Sequence, residues 1–278
     1  MTEPEPAAEA ERHCADLARR SDPERWLCAL FAPPPERAAI VALLALNQEL
    51  GRITEVTREP MTALIRLQWW RDALGAAPPA QAVGHPVVRV LRRALERGHL
   101  ASDPLQALID AREQELDTAP PAGVAAMVEQ ARAIAGRVQR LTASVLGAVD
   151  PAVLDAAERI GTAWGLVGVI RATRHRAGLG RVSLPTGSSG VARSDVIAGR
   201  MSPALAALIA AVLAEARPLA HSRPPDAGPA TPAMLLRLPT LDYIRMIEAQ
   251  GCDPFAAGDL TRRPILPARL LWAWLRAR

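Results

Sequence analysis

The chain has 278 residues, a length that suits one large helical domain with a substantial core or two small ones. Half of the residues are hydrophobic but only 3% are aromatic, so a core must consist mainly of Ala, Leu, Val and Ile. The formal net charge is +4 and all 33 basic residues are Arg, which permits an acidic partner such as anionic lipid or a phosphorylated ligand. Nucleic acid is disfavoured, because the Arg residues are scattered and aromatic residues do not alternate with them.

Cysteine usage predicts a reducing compartment. Cys14, Cys28 and Cys252 are odd in number and lack CxxC spacing, which disfavours a disulfide framework and a zinc site. The first 13 residues are acidic and contain no apolar segment typical of a secretory signal. The longest apolar runs, such as the one from Ala204, are short for a membrane span. We therefore expect a cytoplasmic protein that is soluble or peripheral to the inner membrane.

The composition predicts an all-α fold, because Ala and Leu are strong helix formers and no segment alternates with a sustained period of two. A capping residue followed by a helix start is predicted at five positions: Asp22, Asp103, Asp150, Ser194 and Ser202. Two helices are predicted to start at residues 23 and 36, and a short one lies near residue 194. The other predicted helices cover residues 7–20, 60–74, 86–97, 103–117, 122–147, 151–176, 203–219, 231–250 and 267 to the end. We predict an extension over 1–20, disordered up to residue 5, and one helical domain over 21–278.

The stretch 47–72 is predicted to form two helices that meet at a corner, since proline at position 60 suits the first turn of a helix. Four residues share one face of the first helix: Gln48, Gly51, Arg52 and Glu55. This polar stripe continues an apolar run, which predicts either a lined cavity or a helix that emerges into solvent.

The second helix of this pair carries adjacent Trp69 and Trp70, whose side chains point about 100° apart. Either both are core anchors, or one packs inward and the other lies at a surface. The sequence leaves open whether Asp72 pairs with Arg71 or with Gln68.

The helix after Asp150 has one nearly bare face, formed by Gly161, Gly165, Gly168 and Ala172. Glycine inside a helix costs about 1 kcal/mol relative to Ala, so three on one face need a physical cause. One cause is close approach of a second helix. The other is empty volume beside the helix for a ligand.

Two segments carry a resemblance to a known family. NQELGRITEVTREPMTALIRLQWWRD and RATRHRAGLGRVSLP resemble corresponding segments of an atypical branch of the squalene/phytoene synthase superfamily, which includes a mitochondrial complex I assembly factor. The resemblance covers about residues 20–190. It implies an isoprenoid-synthase-like helical domain with a central cavity.

The resemblance also shows which chemistry is missing. Active members bind prenyl diphosphates through Mg²⁺ held by two Asp-rich motifs, and these fall here on Gly51, Arg52 and Glu55, and on Ala172 and Arg176. An Arg about 4 Å from a magnesium site would cost about 4 kcal/mol per unit charge at an effective dielectric of 20. We therefore expect no catalytic residue, metal site or cofactor, with Mg²⁺ needed only if the chain is an enzyme.

What remains is a set of candidate ligand-binding residues, with a basic wall formed by Arg52, Arg171, Arg174, Arg176 and His175. The full set is Gln48, Arg52, Glu55, Gly165, Gly168, Arg171, Arg174, His175, Arg176 and Arg181. Arg holds phosphate bidentately without a metal. The other interpretation is that these Arg residues are solvated near a helix end.

The expected function is therefore that of a non-catalytic binding or assembly protein. Its expected ligands are prenyl diphosphate, polyprenyl phosphate or anionic lipid, and the resemblance adds respiratory complex I subunits as partners. A lipid carrier is a further possibility. The alternative is a head-to-head prenyltransferase that condenses two prenyl diphosphates.

Other titratable residues form no predicted site. Three acidic residues, Glu113, Glu115 and Asp117, are expected to form a solvated helix end. The C-terminal helix is predicted to place Leu270, Leu271, Trp274 and Leu275 on one side, between flanking Arg residues. Such a helix either lies at a lipid interface or packs on the domain as its last helix.

Overall fold

The computed structural model describes residues 6–57, 59–116, 119–224, 226–256 and 265–276, and these residues contain α-helices and no strand. The all-α prediction is confirmed. The helices are, in chain order, α1 (Pro6–Ser21), α2 (Pro23–Ala29), α3 (Pro34–Val56), α4 (Pro60–Leu74), α5 (Pro86–Glu96), α6 (Ser102–Gln114), α7 (Val124–Ala131), α8 (Arg137–Val145), α9 (Pro151–Gly178), α10 (Arg193–Ile197), α11 (Pro203–Ala220), α12 (Thr231–Met234), α13 (Arg237–Ala249) and α14 (Leu266–Arg276).

Three of the five predicted helix caps are confirmed by hydrogen bonds. Asp22 accepts from the Arg25 backbone N–H at 3.2 Å, Asp150 from that of residue 152 at 2.9 Å, and Ser202 from that of residue 205 at 3.1 Å. The predicted caps at Asp103 and Ser194 are wrong, because both residues lie inside the first turn of their helices. Asp103 still suits this position, since a carboxylate near a helix N-terminus interacts favourably with the helix dipole.

Two of the long predicted helices are interrupted. A π-helical segment over Arg132–Gly136 joins α7 to α8, and residues 235–236 separate α12 from α13. The π-helical segment packs closely against α9: a Cβ atom added to Gly161 would lie 2.5 Å from the Ala135 carbonyl oxygen. One added to Gly165 would lie 2.7 Å from the Ala135 Cβ, whereas one added to Gly168 would have no heavy atom within 4 Å. Both predicted causes of the bare face are therefore present, at different positions along it.

The helix α9 lies at the centre of the domain, where it packs against the π-helical segment, α8, α11 and α13. Beside it, residues 40–46 of α3 are buried all round, as expected of a helix inside a large core. Helix α1 packs on α3 and α5 and buries Ala10, Cys14 and Ala18 in the same hydrophobic core. The predicted boundary between an extension and a domain at residue 20 stays a prediction.

The aromatic pair on α4 takes two different environments. Trp70 is buried and Trp69 is half-buried, with their rings edge to face at 5.0 Å. Both rings also contact His85, at 5.5 Å and 5.1 Å. Asp72 accepts a hydrogen bond from the Gln68 side chain at 2.8 Å, which settles the pairing that the sequence left open.

The helix α11 is, among the described residues, the one that is long and apolar enough to cross a bilayer. At 18 residues it exceeds the length expected from its apolar run. Leu205, Ile209, Val212 and Ala216 form its buried face and α11 packs against α9, as a core helix would.

The C-terminal helix α14 packs on the domain through Leu266, Leu270 and Trp274, whose ring lies 5.7 Å from that of Phe31. Arg269 adds an ion pair to Asp242 of α13. A second apolar face, formed by Leu271, Trp272 and Leu275, is exposed. The predicted single apolar side is therefore divided between the core and the surface.

Candidate ligand-binding pocket

A pocket of about 470 Å³ lies beside α9, bordered by the end of α3, the end of α6, α7 with its π-helical continuation, and the loop after α9. This volume is in the range of small-molecule sites. Apolar side chains form part of its lining: Met127, Ala131, Ile134, Ala135, Val169 and Val182. The bare position at Gly168 also lines the pocket.

Six charged side chains line the pocket: Arg112, Arg176, Arg181, Arg193, Glu55 and Glu115. Four cations against two carboxylates give the lining a formal charge of +2. The pocket therefore combines an apolar interior with an excess of positive charge, which suits an amphiphilic ligand with an anionic head.

Arg176 lies in the last turn of α9, where a cation interacts favourably with the helix dipole. It donates a hydrogen bond to the Ser183 hydroxyl at 2.6 Å, and its guanidinium lies 3.6 Å from the Glu55 carboxylate. Its Nε is buried and has no hydrogen-bond partner among the described residues. Buried donors are usually paired, so this Nε, like that of Arg112, is a donor that the described residues leave unsatisfied.

Arg112 is the pocket residue that sequence reasoning missed most clearly. It donates hydrogen bonds to the Asn47 side-chain oxygen at 2.7 Å and to the Glu115 carboxylate at 2.5 Å. Arg112 is buried, with a relative exposure of 9%. A Cβ on Gly51 would lie 3.7 Å from this guanidinium. The sequence held one signal for it: Arg112 follows Leu105, Leu108 and Ile109 on the apolar face of α6, at the i+7 position.

The loop after α9 is fastened to the end of α3. Arg181 donates a hydrogen bond to the Thr54 carbonyl oxygen, and Arg193 donates to the Gly180 carbonyl oxygen at 3.3 Å. Two cations are therefore held at the edge of the pocket by backbone contacts.

The structure gathers half of the predicted candidates at the pocket: Glu55, Gly165, Gly168, Arg176 and Arg181. The other half lies outside the pocket lining: Gln48, Arg52, Arg171, Arg174 and His175. Arg52, Arg174 and His175 are exposed, and Arg174 donates to the Phe255 carbonyl oxygen at 3.3 Å. The basic wall is therefore built mainly from residues other than those predicted to form it.

Of the acidic residues predicted to be solvated, Glu113 is paired but its side chain is 40% exposed, whereas that of Glu115 is paired and only 16% exposed. Glu115 lines the pocket beside Arg112, and Glu113 forms an ion pair with Arg71 across α4 and α6. Asp117 lies outside the described residues.

Arg171 belongs to a second, tightly filled cluster on another side of α9. Its guanidinium lies 3.9 Å from the centre of the Tyr243 ring, 5.5 Å from the Trp164 ring and 4.0 Å from the Glu24 carboxylate. Tyr243 donates a hydrogen bond to Glu24, and both residues are buried. We call Glu24, Trp164, Arg171 and Tyr243 the buried cluster.

The donor atoms at the pocket do not fit the magnesium ions that the family resemblance implies. Glu55 is the one carboxylate at the expected motif positions, and it faces the Arg176 guanidinium. Ala172 offers no ligand atom. Among the described residues, no group of three or more His, Cys, Asp or Glu side chains is placed to hold a metal ion. Mg²⁺ needs clustered hard oxygen ligands, so we derive no chemistry through it.

The all-helical domain, with a pocket beside its central helix, has the fold of the isoprenoid-synthase-like class of proteins. A solved dehydrosqualene synthase in complex with ligand matches 99% of this chain and 100% of its own, with a TM-score of 0.77 and 16% identity, which shows the fold. The chain belongs to the squalene/phytoene synthase family, whose family model matches residues 18–269.

The chain is similar to relatives that are named for two different roles, assembly of complex I and synthesis of presqualene diphosphate. It is 30% identical to NADH dehydrogenase (ubiquinone) complex I, assembly factor 6 of Bos taurus, over 95% of this chain and 81% of that protein. It is 24% identical to the presqualene diphosphate synthase of Sinorhizobium fredii, over 93% of this chain and 97% of that protein.

Proposed function

We propose that this protein binds a phosphate-bearing isoprenoid or an anionic lipid through arginines rather than a metal, and that it does not transfer the prenyl group. The observation that carries the proposal is Arg176. By the family resemblance it falls in the second Asp-rich motif, where active members hold metal with carboxylates, and its guanidinium lies 3.6 Å from Glu55, the one carboxylate at the two motif positions.

The pocket supplies what such a ligand needs. Arg112, Arg176, Arg181 and Arg193 offer N–H donors to phosphate oxygens, and guanidinium groups bind phosphate without a metal. The apolar wall along α7 and α9 offers a hydrocarbon chain a surface free of charge. The retained ligand is then held in place instead of being ionised, because the charge neutralisation that metal ions give a departing diphosphate is absent.

The relatives extend the proposal to a cellular role. The Bos taurus relative is named as an assembly factor of complex I, and we propose the same role here, at the cytoplasmic surface of the inner membrane. Deleting the gene in its own host should lower the amount of assembled complex I, measured on native gels. Unchanged complex I would contradict this role while leaving the binding proposal intact.

The relative named presqualene diphosphate synthase supports a second candidate, a head-to-head prenyltransferase. An activity assay separates the two. Purified protein is incubated with farnesyl or geranylgeranyl diphosphate and Mg²⁺, with and without NADPH, and products are extracted. We expect no presqualene diphosphate, squalene or phytoene. Product above trace level would overturn the non-catalytic proposal.

A further inference from the structure

The mouth of the pocket adjoins exposed apolar side chains. Leu179 lines the pocket and is 54% exposed, and Pro60, which also lines it, begins helix α4. The next residue, Met61, is 62% exposed, and Ile65, one turn further along α4, is 64% exposed. Side chains in a helix lean toward its N-terminus, so Ile65 leans toward Met61 and the pocket. We call Met61, Ile65 and Leu179 the mouth patch.

Arginines lie on the elements that carry the mouth patch or line the pocket beside it. Arg66 and Arg52 are exposed on α4 and α3, and Arg181 and Arg193 line the pocket edge. Acidic residues are also present: Glu59 is exposed and accepts a hydrogen bond from Thr62, while Glu55 and Glu115 line the pocket and pair with Arg176 and Arg112. Exposed apolar side chains accompanied by Arg are a composition by which a protein surface binds an anionic bilayer, with guanidinium groups at the lipid phosphates.

We propose that the mouth patch docks on an anionic bilayer leaflet, so that a lipid passes between the bilayer and the pocket without crossing water. The proposal rests on the proposed function for the identity of the ligand, but the docking itself is separately measurable. Two features favour a bilayer over a protein partner. The arginines nearby complement lipid phosphates, and the patch adjoins at Pro60 and Leu179 a pocket that is lined partly by apolar side chains.

The exposed face of α14 is the competing surface. Leu271, Trp272 and Leu275 are exposed there, but none of them lines the pocket. Arg276 also covers the Trp272 ring, with its guanidinium carbon 3.5 Å from the ring centre. A bilayer contact at α14 would anchor the protein without opening a path to the pocket, whereas a contact at the mouth patch does both.

A flotation assay tests the docking surface with the full-length protein. Vesicles contain phosphatidylcholine alone or phosphatidylcholine mixed with phosphatidylglycerol. The test variant is Met61→Glu with Ile65→Glu. Val149→Glu is a single-charge control, because Val149 is 87% exposed and lies outside the pocket lining, and the α14 variant below adds the same two charges as the test variant. A third variant, Leu271→Glu with Trp272→Glu, reports on α14.

We expect wild type and Val149→Glu to float with the anionic vesicles, and the Met61→Glu/Ile65→Glu variant to lose at least tenfold in partitioning while its circular dichroism and melting temperature are retained. Unchanged flotation of that variant, loss confined to the α14 variant, or no flotation of wild type would each overturn the proposal.

A binding measurement in the absence of vesicles separates this outcome from the proposed function. Farnesyl diphosphate reaches the pocket from solution, so the Met61→Glu/Ile65→Glu variant should bind it as wild type does. Loss of this binding in the variant would show that the pocket itself is damaged and would overturn the assignment of the patch to docking. If wild type floats through the mouth patch but binds no farnesyl diphosphate, the docking surface stands and the proposed ligand class is wrong.

Discussion

Arg171 and Arg176 lie five residues apart on α9 and serve different regions of the molecule. Five residues turn a helix through about 140° relative to the start, so the two side chains leave α9 on different sides. Arg171 is enclosed by Tyr243, Trp164 and Glu24 in the buried cluster. Arg176 borders an open pocket, and its buried Nε has no partner among the described residues.

Two arginines of one helix, separated mainly by their angle around it, therefore lie in a buried cluster and at an open pocket. In the buried cluster the Arg171 guanidinium is contacted by Trp164, Tyr243 and Glu24, so we expect it to contribute to the free energy of unfolding. In the pocket the Nε atoms of Arg112 and Arg176 are left without a partner among the described residues, and the proposed function assigns these arginines to a ligand. Mutations on the two sides should therefore affect different measurements.

The largest expected effect is on the buried cluster. Arg171→Ala removes two aromatic contacts to a partly desolvated cation and leaves the buried Glu24 carboxylate with less compensation, so we expect a loss of about 2–4 kcal/mol of unfolding free energy. Arg176→Ala should change it by less than about 1 kcal/mol, since its ion pair to Glu55 is partly exposed. Urea denaturation of both variants measures the difference, and equal losses would refute the separation of the two regions.

The glycines of α9 provide the second test. Gly161→Ala forces a methyl group against the Ala135 carbonyl oxygen and should destabilise the fold by about 1–3 kcal/mol. Gly168→Ala enters open space and should stabilise the helix by up to about 1 kcal/mol. The melting temperatures of Gly161→Ala and Gly168→Ala, each compared with wild type, measure these two effects. A destabilised Gly168→Ala would show that the volume beside α9 is filled in solution.

The sequence predicts more of the fold than of the pocket. Helix starts at Asp22, Asp150 and Ser202 follow from local chemistry, because a capping side chain bonds to backbone two or three residues away. The π-helical segment does not follow from local chemistry, since it forms where Gly161 and Gly165 meet a neighbouring helix.

The pocket residues were harder to predict because they come from several elements. Arg176 and Arg181 lie in a segment that resembles a family motif, but Arg112 and Arg193 come from α6 and α10, outside both motif segments. Grouping Arg171 with Arg176 followed their closeness in sequence and neglected the 140° between them. Helical angle would have separated them without any structure.

The smallest expected effect concerns His85. Its ring contacts Trp69 and Trp70, as Arg171 contacts Trp164 and Tyr243, but among the described residues it forms no ion pair to a carboxylate comparable to that between Arg171 and Glu24. Burial lowers the pKa of His85 below its ordinary value of 6.5, with Glu49 opposing the shift and His13 adding to it. The folded state then binds fewer protons than the unfolded state, so this contribution to stability is present above pH 6.5 and is lost as pH falls through the folded-state pKa.

A pH series of denaturation midpoints for wild type and His85→Gln measures this effect. The stability difference between them should be constant above neutral pH and should change in favour of the variant as the pH falls below about 6.5. A difference that is independent of pH would contradict the assigned shift.

The central claim is that arginines replace metal ions in holding the ligand, and calorimetric titration of farnesyl diphosphate tests it most directly. We expect the same dissociation constant in EDTA and in Mg²⁺. Arg176→Ala should weaken binding about tenfold or more, because a charge-assisted hydrogen bond contributes about 1.5–3 kcal/mol. Arg174→Ala, at an exposed position outside the pocket lining, should bind as wild type does. Binding that requires Mg²⁺, or that is unchanged in Arg176→Ala, would contradict the account.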